Sequence, residues 1–150
     1  MKLEDEINTD KFLSDHHRAV INIMFTANWL LASMNTILEP FGISEQQYNV
    51  LRTLKNNKGA PMKLYMIAER MIHRTSNVTR LVEKLRQKGL VNREVCEKNR
   101  RQVDITITEE GGQMLRKISP LILEQQKTIN TKWSQAEAET IGRLLDQVRS

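Results

Sequence analysis

The polar residues with the clearest chemistry lie between residues 74 and 108. Four apolar residues at helical spacing predict a helix over 75–88 with one buried face, namely Val78, Leu81, Val82 and Leu85. Its start and its exposed sides carry hydroxyl, amide and basic groups, namely Thr75, Ser76, Asn77, Thr79, Arg80 and Lys84. Such groups at a helix N-terminus suit base edges and phosphates in a DNA major groove. The pattern therefore predicts a nucleic-acid contact surface.

A β-hairpin with a basic tip is predicted directly after this helix. Val103, Ile105 and Ile107 alternate with polar residues, which indicates a strand with one buried face. The stretch 91–97 pairs with it across a tip that carries Lys98, Arg100 and Arg101. These cations suit contacts to the DNA backbone or the minor groove.

The charge distribution supports this interpretation. The chain has 150 residues, with 23 Lys+Arg and 18 Asp+Glu, and a formal charge of +5. Residues 74–101 hold nine basic and three acidic residues, so their net charge is +6 and that of the rest is −1. An ordinary solvated face of a small helical domain is the alternative, since most charge runs are that. The basic patch, the exposed polar end of the helix and the basic hairpin lie in the same segment, and this coincidence favours a nucleic-acid partner.

Other chemistries find little support. The single cysteine, Cys96, excludes an intrachain disulfide, and its neighbours Glu94 and Glu97 disfavour a reactive thiolate. His16 and His17 are adjacent on a helix and cannot face a common metal, so we expect no metal and no cofactor. The six glycines are not grouped into a phosphate loop, and no nucleophile–base pair stands out. We expect a protein that is not an enzyme.

Two long apolar regions flank this segment. A helix over 9–41 has a heptad-like seam and a second apolar line, Ile21, Phe25 and Trp29. Helices over 109–150 carry further apolar stripes. We expect the rest of the chain to cover one face of the first helix, and a second copy of the chain to cover its other face and the C-terminal helices. The predicted dimer interface comprises Leu13, Val20, Met24, Leu31, Ile118, Ile122, Ile141, Leu144, Leu145 and Val148. Folding of the C-terminal helices back onto the chain's own first helix is the alternative.

A membrane location is not expected. Residues 19–38 are uncharged and long enough to span a bilayer, but they include Asn22, Asn28 and Asn35, which are costly in lipid. The N-terminus is acidic and leads into no apolar run, unlike a signal peptide. These features predict a cytoplasmic protein.

The order helix, helix, turn, helix, basic-tipped hairpin, with TSNVTRLVEKLRQKGLVNR and NRRQVDITIT, resembles the MarR family of winged-helix transcriptional regulators. The resemblance covers nearly the whole chain. It implies a mainly α fold with a small β-hairpin wing and a winged helix-turn-helix lobe over 43–108, with recognition helix 75–88 and wing 91–107. The N-terminal helix 9–41 and the C-terminal helices 109–150 correspond to dimerisation arms. Asn99 replaces the Asp of the family's Asp-x-Arg wing signature, whereas Arg101 matches its Arg.

The resemblance also implies a function. We expect a homodimeric, sequence-specific regulator of transcription on a pseudo-palindromic double-stranded DNA operator, a repressor relieved by a small aromatic or phenolic ligand. The candidate ligand pocket is lined by Ile21, Phe25, Trp29 and Tyr48, although an aromatic stripe is more often part of a core. The alternative function is a winged helix that binds DNA without sequence preference or contacts a protein partner.

Overall fold

The computed structural model describes residues 2–73, 77–95 and 102–150. These residues form seven α-helices and one two-stranded antiparallel hairpin, which confirms the predicted mainly α fold with a small hairpin. The predicted contact residues Thr75, Ser76, Lys98, Arg100 and Arg101 lie outside the described residues, as does Cys96. The chain divides into two compact units, 1–45 and 46–150.

The first unit consists of α1 (Leu3–Ile7), α2 (Asp15–Leu38) and a 3-10 turn (Glu39–Phe41). The Ser14 hydroxyl caps α2 by accepting a hydrogen bond from the His17 N–H at 3.2 Å. The prediction of one helix from residue 9 is therefore wrong at its start, because this cap begins a new helix at Asp15. The helix ends at Pro40, followed by Gly42 in the left-handed region at φ 66°.

Most of α2 is uncovered in the single chain. Among its residues, all of which the structure describes, only Leu38 is buried, and Ile21, Phe25 and Leu31 are half-buried. Residues 15–41 have the length and hydropathy of a membrane span, and none of the most apolar window is buried.

The second unit contains the winged-helix elements and two further helices. Its helices are α3 (Glu45–Asn56, which starts one residue before the unit), α4 (Leu64–Glu69), α5 (Val78–Gln87), α6 (Glu109–Asn130) and α7 (Gln135–Val148). The hairpin consists of β1 (Val91–Val95) and β2 (Val103–Ile107). The fully buried side chains of this unit are apolar and come from α3, α5, α6, the hairpin and the segments around α4, for example Leu51, Leu54, Met62, Ile67, Val82, Leu85, Ile105 and Ile118.

The hairpin is in register from Val91↔Ile107 to Val95↔Val103. Met62, just before α4, forms a bridge to Ile105 with two backbone hydrogen bonds of 2.9 Å each. The hairpin is thus attached to the segment that leads into α4, and α4 in turn packs against α5.

The start of α6 is locked to the turn that leads into β1. The Thr108 hydroxyl donates to the Gly89 carbonyl at 2.7 Å and accepts from the Gly111 N–H at 3.1 Å, so it caps α6. A Cβ at Gly111 would lie 2.3 Å from the Leu90 carbonyl oxygen, so this close approach requires glycine. The α7 capping box of Ser134 and Glu137 is also present.

Candidate nucleic-acid interface

The helix that the sequence singled out begins later than expected. Its N-cap is Asn77, whose side-chain oxygen accepts a hydrogen bond from the Arg80 N–H at 3.1 Å, and its first residue is Val78. The predicted start at residue 75 is therefore too early, because the Asn77 amide oxygen occupies the capping position. Asn77 therefore has a structural role at the helix start in addition to any contact with DNA.

The two faces of α5 separate as the sequence predicts. Val78, Val82 and Leu85 are buried, whereas Thr79, Arg80 and Lys84 are exposed on the other side. Within the described part of the chain, the Arg80 and Lys84 side chains make no hydrogen bond or ion pair. The first turns of α5 therefore present two available cations to solvent.

Arg86 differs from these two cations although it lies on the same helix. Its guanidinium Nη2 lies 2.8 Å from Glu83 Oε1, and its Nε lies 3.0 Å from Glu83 Oε2. The hydrogen bonds from Arg86 lower the pKa of the Glu83 carboxyl, and the charge of Arg93 adds to this effect. The Arg86 charge is thus balanced locally, which leaves Arg80 and Lys84 as the cations of α5 best placed for an anionic partner.

The wing strands extend from the end of α5. Because α5 packs against β1, and α4 packs against both α5 and β2, the helix and the hairpin form one compact assembly. Arg93 on β1 is exposed and adds a third cation to the described surface. The predicted tip contacts Lys98, Arg100 and Arg101 lie outside the described residues and stay predictions.

Sequence reasoning missed one ion pair in this assembly. The Lys63 ammonium lies 2.7 Å from the Asp104 carboxylate, and this contact links the residue before α4 to strand β2. One signal was available: position 63 starts a helix, yet it carries no Ser, Thr, Asp or Asn to cap it. A lysine there has no capping acceptor to offer.

Tyr48, one of the four predicted pocket residues, lines an open cleft of about 600 Å3 within the second unit. Its lining includes the apolar side chains of Leu115 and Leu123 and the basic side chains of Arg52, Lys55 and Arg116. Arg116 is paired with Glu109 at 2.6 Å, which lowers the pKa of that carboxyl. Tyr48 itself is only 5% exposed.

The other predicted pocket residues belong to the first unit. Ile21 and Phe25 are half-buried there, and Trp29 is 55% exposed. A pocket shared by these residues and Tyr48 stays a prediction. Among the described residues, no group of three or more His, Cys, Asp or Glu side chains could hold a metal ion.

The predicted dimer residues fall into three groups by exposure. Ile118 and Ile122 are buried within the single chain, which leaves them little surface for a second copy, and their place in an interface stays a prediction. Leu31 and Leu145 are half-buried. The others are exposed, namely Leu13, Val20, Met24, Ile141, Leu144 and Val148.

Comparison with known proteins matches this geometry. The model of the MarR family matches residues 43–103. The HTH-type transcriptional repressor MdtR of Bacillus subtilis is 39% identical over 74 residues, which cover 49% of this chain and 46% of that protein.

Solved structures extend the similarity beyond the winged helix. A MarR transcription factor from Planctomyces limnophilus has a TM-score of 0.70 and 27% identity, covering 91% of this chain and 99% of that one. The S. aureus MepR–DNA complex has the same fold, with a TM-score of 0.79 and 21% identity over 87% of this chain and 94% of MepR. These relatives are regulators and not enzymes. In its winged helix, which the family model matches, and in its fold over nine-tenths of its length, the chain is similar to the MarR family of winged-helix transcriptional regulators.

Proposed function

We propose that this protein is a cytoplasmic homodimer that represses transcription by binding a pseudo-palindromic operator through α5 and the wing. One observation carries the proposal: α5 buries its apolar face and presents Thr79, Arg80 and Lys84 on a surface adjoining the wing. Basic and polar side chains on such a helix are those that read base edges in a major groove. The structural relative MepR was solved as a complex with DNA, which supports the proposal that this protein binds DNA.

The contacts divide into two kinds in this proposal. Ser76, Asn77, Thr79 and Arg80, at the N-terminal end of α5, contact base edges and the groove. Thr75, Lys84, Lys98, Arg100 and Arg101 contact phosphates or the minor groove. Only the first kind distinguishes one sequence from another, because phosphates are the same at every step of the duplex.

Selection of bound duplexes from a random DNA library tests the proposal. The enriched sites should contain two related half-sites, and binding to them should exceed binding to bulk DNA by about 10³-fold or more. Arg80→Ala should lower the operator affinity by about 1–3 kcal/mol and relax the preference at one position of each half-site. Arg86→Ala is the matched control on the same helix, since Glu83 already balances that charge.

Arg100→Ala should instead weaken binding to all sequences and flatten the dependence of affinity on salt. Equal effects of the Arg80 and Arg100 substitutions on specificity would contradict the division of contacts. Enrichment of no sequence, with tight binding retained, would identify an architectural DNA-binding protein. Absence of DNA binding would point to a protein partner.

The dimer part of the proposal is supported by the exposed apolar side chains of α2 and α7. Met24 on α2 is 59% exposed and Leu144 on α7 is 49% exposed, and exposed apolar surfaces of this kind mark interfaces. We propose that a second copy of the chain covers these apolar side chains, since a two-fold dimer matches an operator with two half-sites. Sedimentation should give twice the monomer mass. A monomer that floats with lipid vesicles would instead assign α2 to a membrane.

The ligand part of the proposal is supported by the cleft beside Tyr48. A cleft lined by apolar side chains together with Arg52, Lys55 and Arg116 suits a small aromatic or phenolic anion. Benzoate and its hydroxylated derivatives are suitable probes, and binding should release the operator by favouring another spacing of the two recognition helices. Arg52→Gln should abolish release without changing operator affinity, and Arg70→Gln, outside the cleft, is the control. Release that survives Arg52→Gln would remove this cleft from the proposal.

A further inference from the structure

The residue before α4 occupies the N-cap position but does not act as a cap. Lys63 has extended backbone angles of φ −79° and ψ 153°, and its side chain makes no capping hydrogen bond. A lysine has no acceptor for the free N–H groups of the first turn, whereas Ser, Thr, Asp or Asn would supply one. The start of α4 therefore lacks the side-chain cap that a smaller polar residue at position 63 would provide.

The Lys63 side chain instead reaches the wing. Its ammonium lies 2.7 Å from Asp104 Oδ1, and the two side chains are only 20% and 25% exposed. Such partial shielding makes the attraction less sensitive to salt than that of a fully exposed pair. Asp104 lies directly opposite Glu94 in the hairpin, and like charges in this position repel. The Lys63 ammonium offsets this repulsion.

The position of the pair gives it a mechanical role. Met62 and Ile105, the adjacent residues, are fully buried and exchange the two backbone hydrogen bonds that attach the hairpin to the segment before α4. The packing of α5 against β1 also holds the hairpin. The Lys63–Asp104 pair adds a further contact between β2 and the segment before α4, one residue closer to the wing tip than the Met62–Ile105 bridge.

We propose that Lys63 and Asp104 are positioning residues for DNA binding, whose ion pair holds the wing at the angle where its tip and α5 engage one duplex together. This inference rests on the proposed function, since it presupposes that α5 and the wing both contact the operator. Neither residue needs to contact DNA itself. The pair acts on specific binding because base contacts and wing contacts must be made simultaneously.

Asp104→Asn is the most informative variant, because it separates positioning from charge. It removes a negative charge close to the DNA-binding surface, so electrostatics alone predicts tighter binding to every DNA. Positioning predicts the opposite for the operator, with affinity lowered by about tenfold, while affinity for bulk DNA is unchanged or raised. The exchange variant Lys63→Asp with Asp104→Lys keeps the net charge and should restore most of the operator affinity.

The control is Lys127→Gln, which breaks the exposed pair with Glu124 on α6 and should leave DNA binding unchanged. Denaturant unfolding of each variant shows whether lost affinity reflects lost folding. Operator binding by Asp104→Asn as tight as that of the wild type would overturn the inference. So would loss of binding to all DNA in Lys63→Met without rescue by the exchange, since Lys63 would then be a phosphate contact. A wild-type protein that prefers no DNA sequence would instead contradict the proposed function itself.

Discussion

Apolar side chains are buried in the winged-helix core but exposed on the α2 and α7 helices. In the winged helix, Leu54, Leu85 and Ile105 are at most 1% exposed. On α2 and α7, Met24, Leu144 and Val148 are 49–70% exposed. The two regions have similar apolar residues at similar helical spacing, so residue type alone does not explain the difference.

This contrast indicates which part of the chain forms a closed apolar core within a single copy. The winged helix closes its core with two strands, three short helices and the start of α6, held by specific contacts at Thr108 and Gly111. The apolar faces of α2 and α7 have no equivalent closure within the single chain. Burial of a fully exposed Leu or Met side chain contributes about 1.5–3 kcal/mol, so a partner surface over these helices is strongly favoured.

A charge on the exposed face of α2 should break the dimer. Met24→Glu places a carboxylate where we expect a dry interface, and burial of an unpaired charge costs several kcal/mol, so the dimer dissociation constant should rise by about 100-fold. Sedimentation over a range of concentrations measures this. Asn22→Glu, an exposed polar position on the same helix, is the control. A dimer that tolerates Met24→Glu would show that this face is not the interface.

Gly111→Ala should weaken the winged helix itself. The new Cβ would lie 2.3 Å from the Leu90 carbonyl oxygen and 2.8 Å from Ile107 Cγ1, so the free energy of unfolding should fall by about 1–3 kcal/mol. Urea unfolding at fixed protein concentration measures the change. The matched control is Gly142→Ala on α7, where a Cβ meets nothing within 4 Å and stability should rise by about 0.5–1 kcal/mol. Equal effects of the two substitutions would show that the close approach of Gly111 to Leu90 does not limit the side chain at this position.

Thr108→Val should have a smaller effect at the same junction. It keeps the shape of the side chain but removes the hydroxyl that caps α6 and binds the Gly89 carbonyl, which should cost about 1 kcal/mol of unfolding free energy. Thr108→Ser keeps the hydroxyl and should retain most of the stability. If serine and valine destabilise equally, the methyl group rather than the cap is responsible.

The smallest effect concerns the link between α1 and α2. A hydrogen bond from Arg18, at 2.5 Å, lowers the pKa of the Glu4 carboxyl from 4.5 to about 2. Because the folded state holds the carboxylate, the stabilisation is complete above pH 4.5 and is lost as the pH falls toward about 2. The melting temperature of Glu4→Gln should therefore lie slightly below that of the wild type near neutral pH and converge with it in acid. A constant difference across this range would contradict the link.

Much of the fold was predictable because periodicity reports burial directly. The strict alternation of Val103, Ile105 and Ile107 predicted the strand, and the Val78, Val82 and Leu85 stripe predicted the buried face of α5. The errors in the predicted helix bounds lie at helix starts, where several neighbouring residues are of types that can cap a helix. Thr75 and Asn77 are both good capping residues, and only the backbone path selects Asn77.

The order of elements, the basic patch and the exposed polar face of α5 follow from the sequence alone, because charge and hydrophobic spacing are local properties of the chain. Tertiary packing, in contrast, buries Ile118 and Ile122 within one chain and leaves Met24 and Leu144 exposed, since burial depends on residues that are distant in sequence. It also brought together Lys63 and Asp104, which are far apart in sequence. A close ion pair requires that two segments be placed within a few ångströms of each other, which the spacing of residues along the chain does not specify.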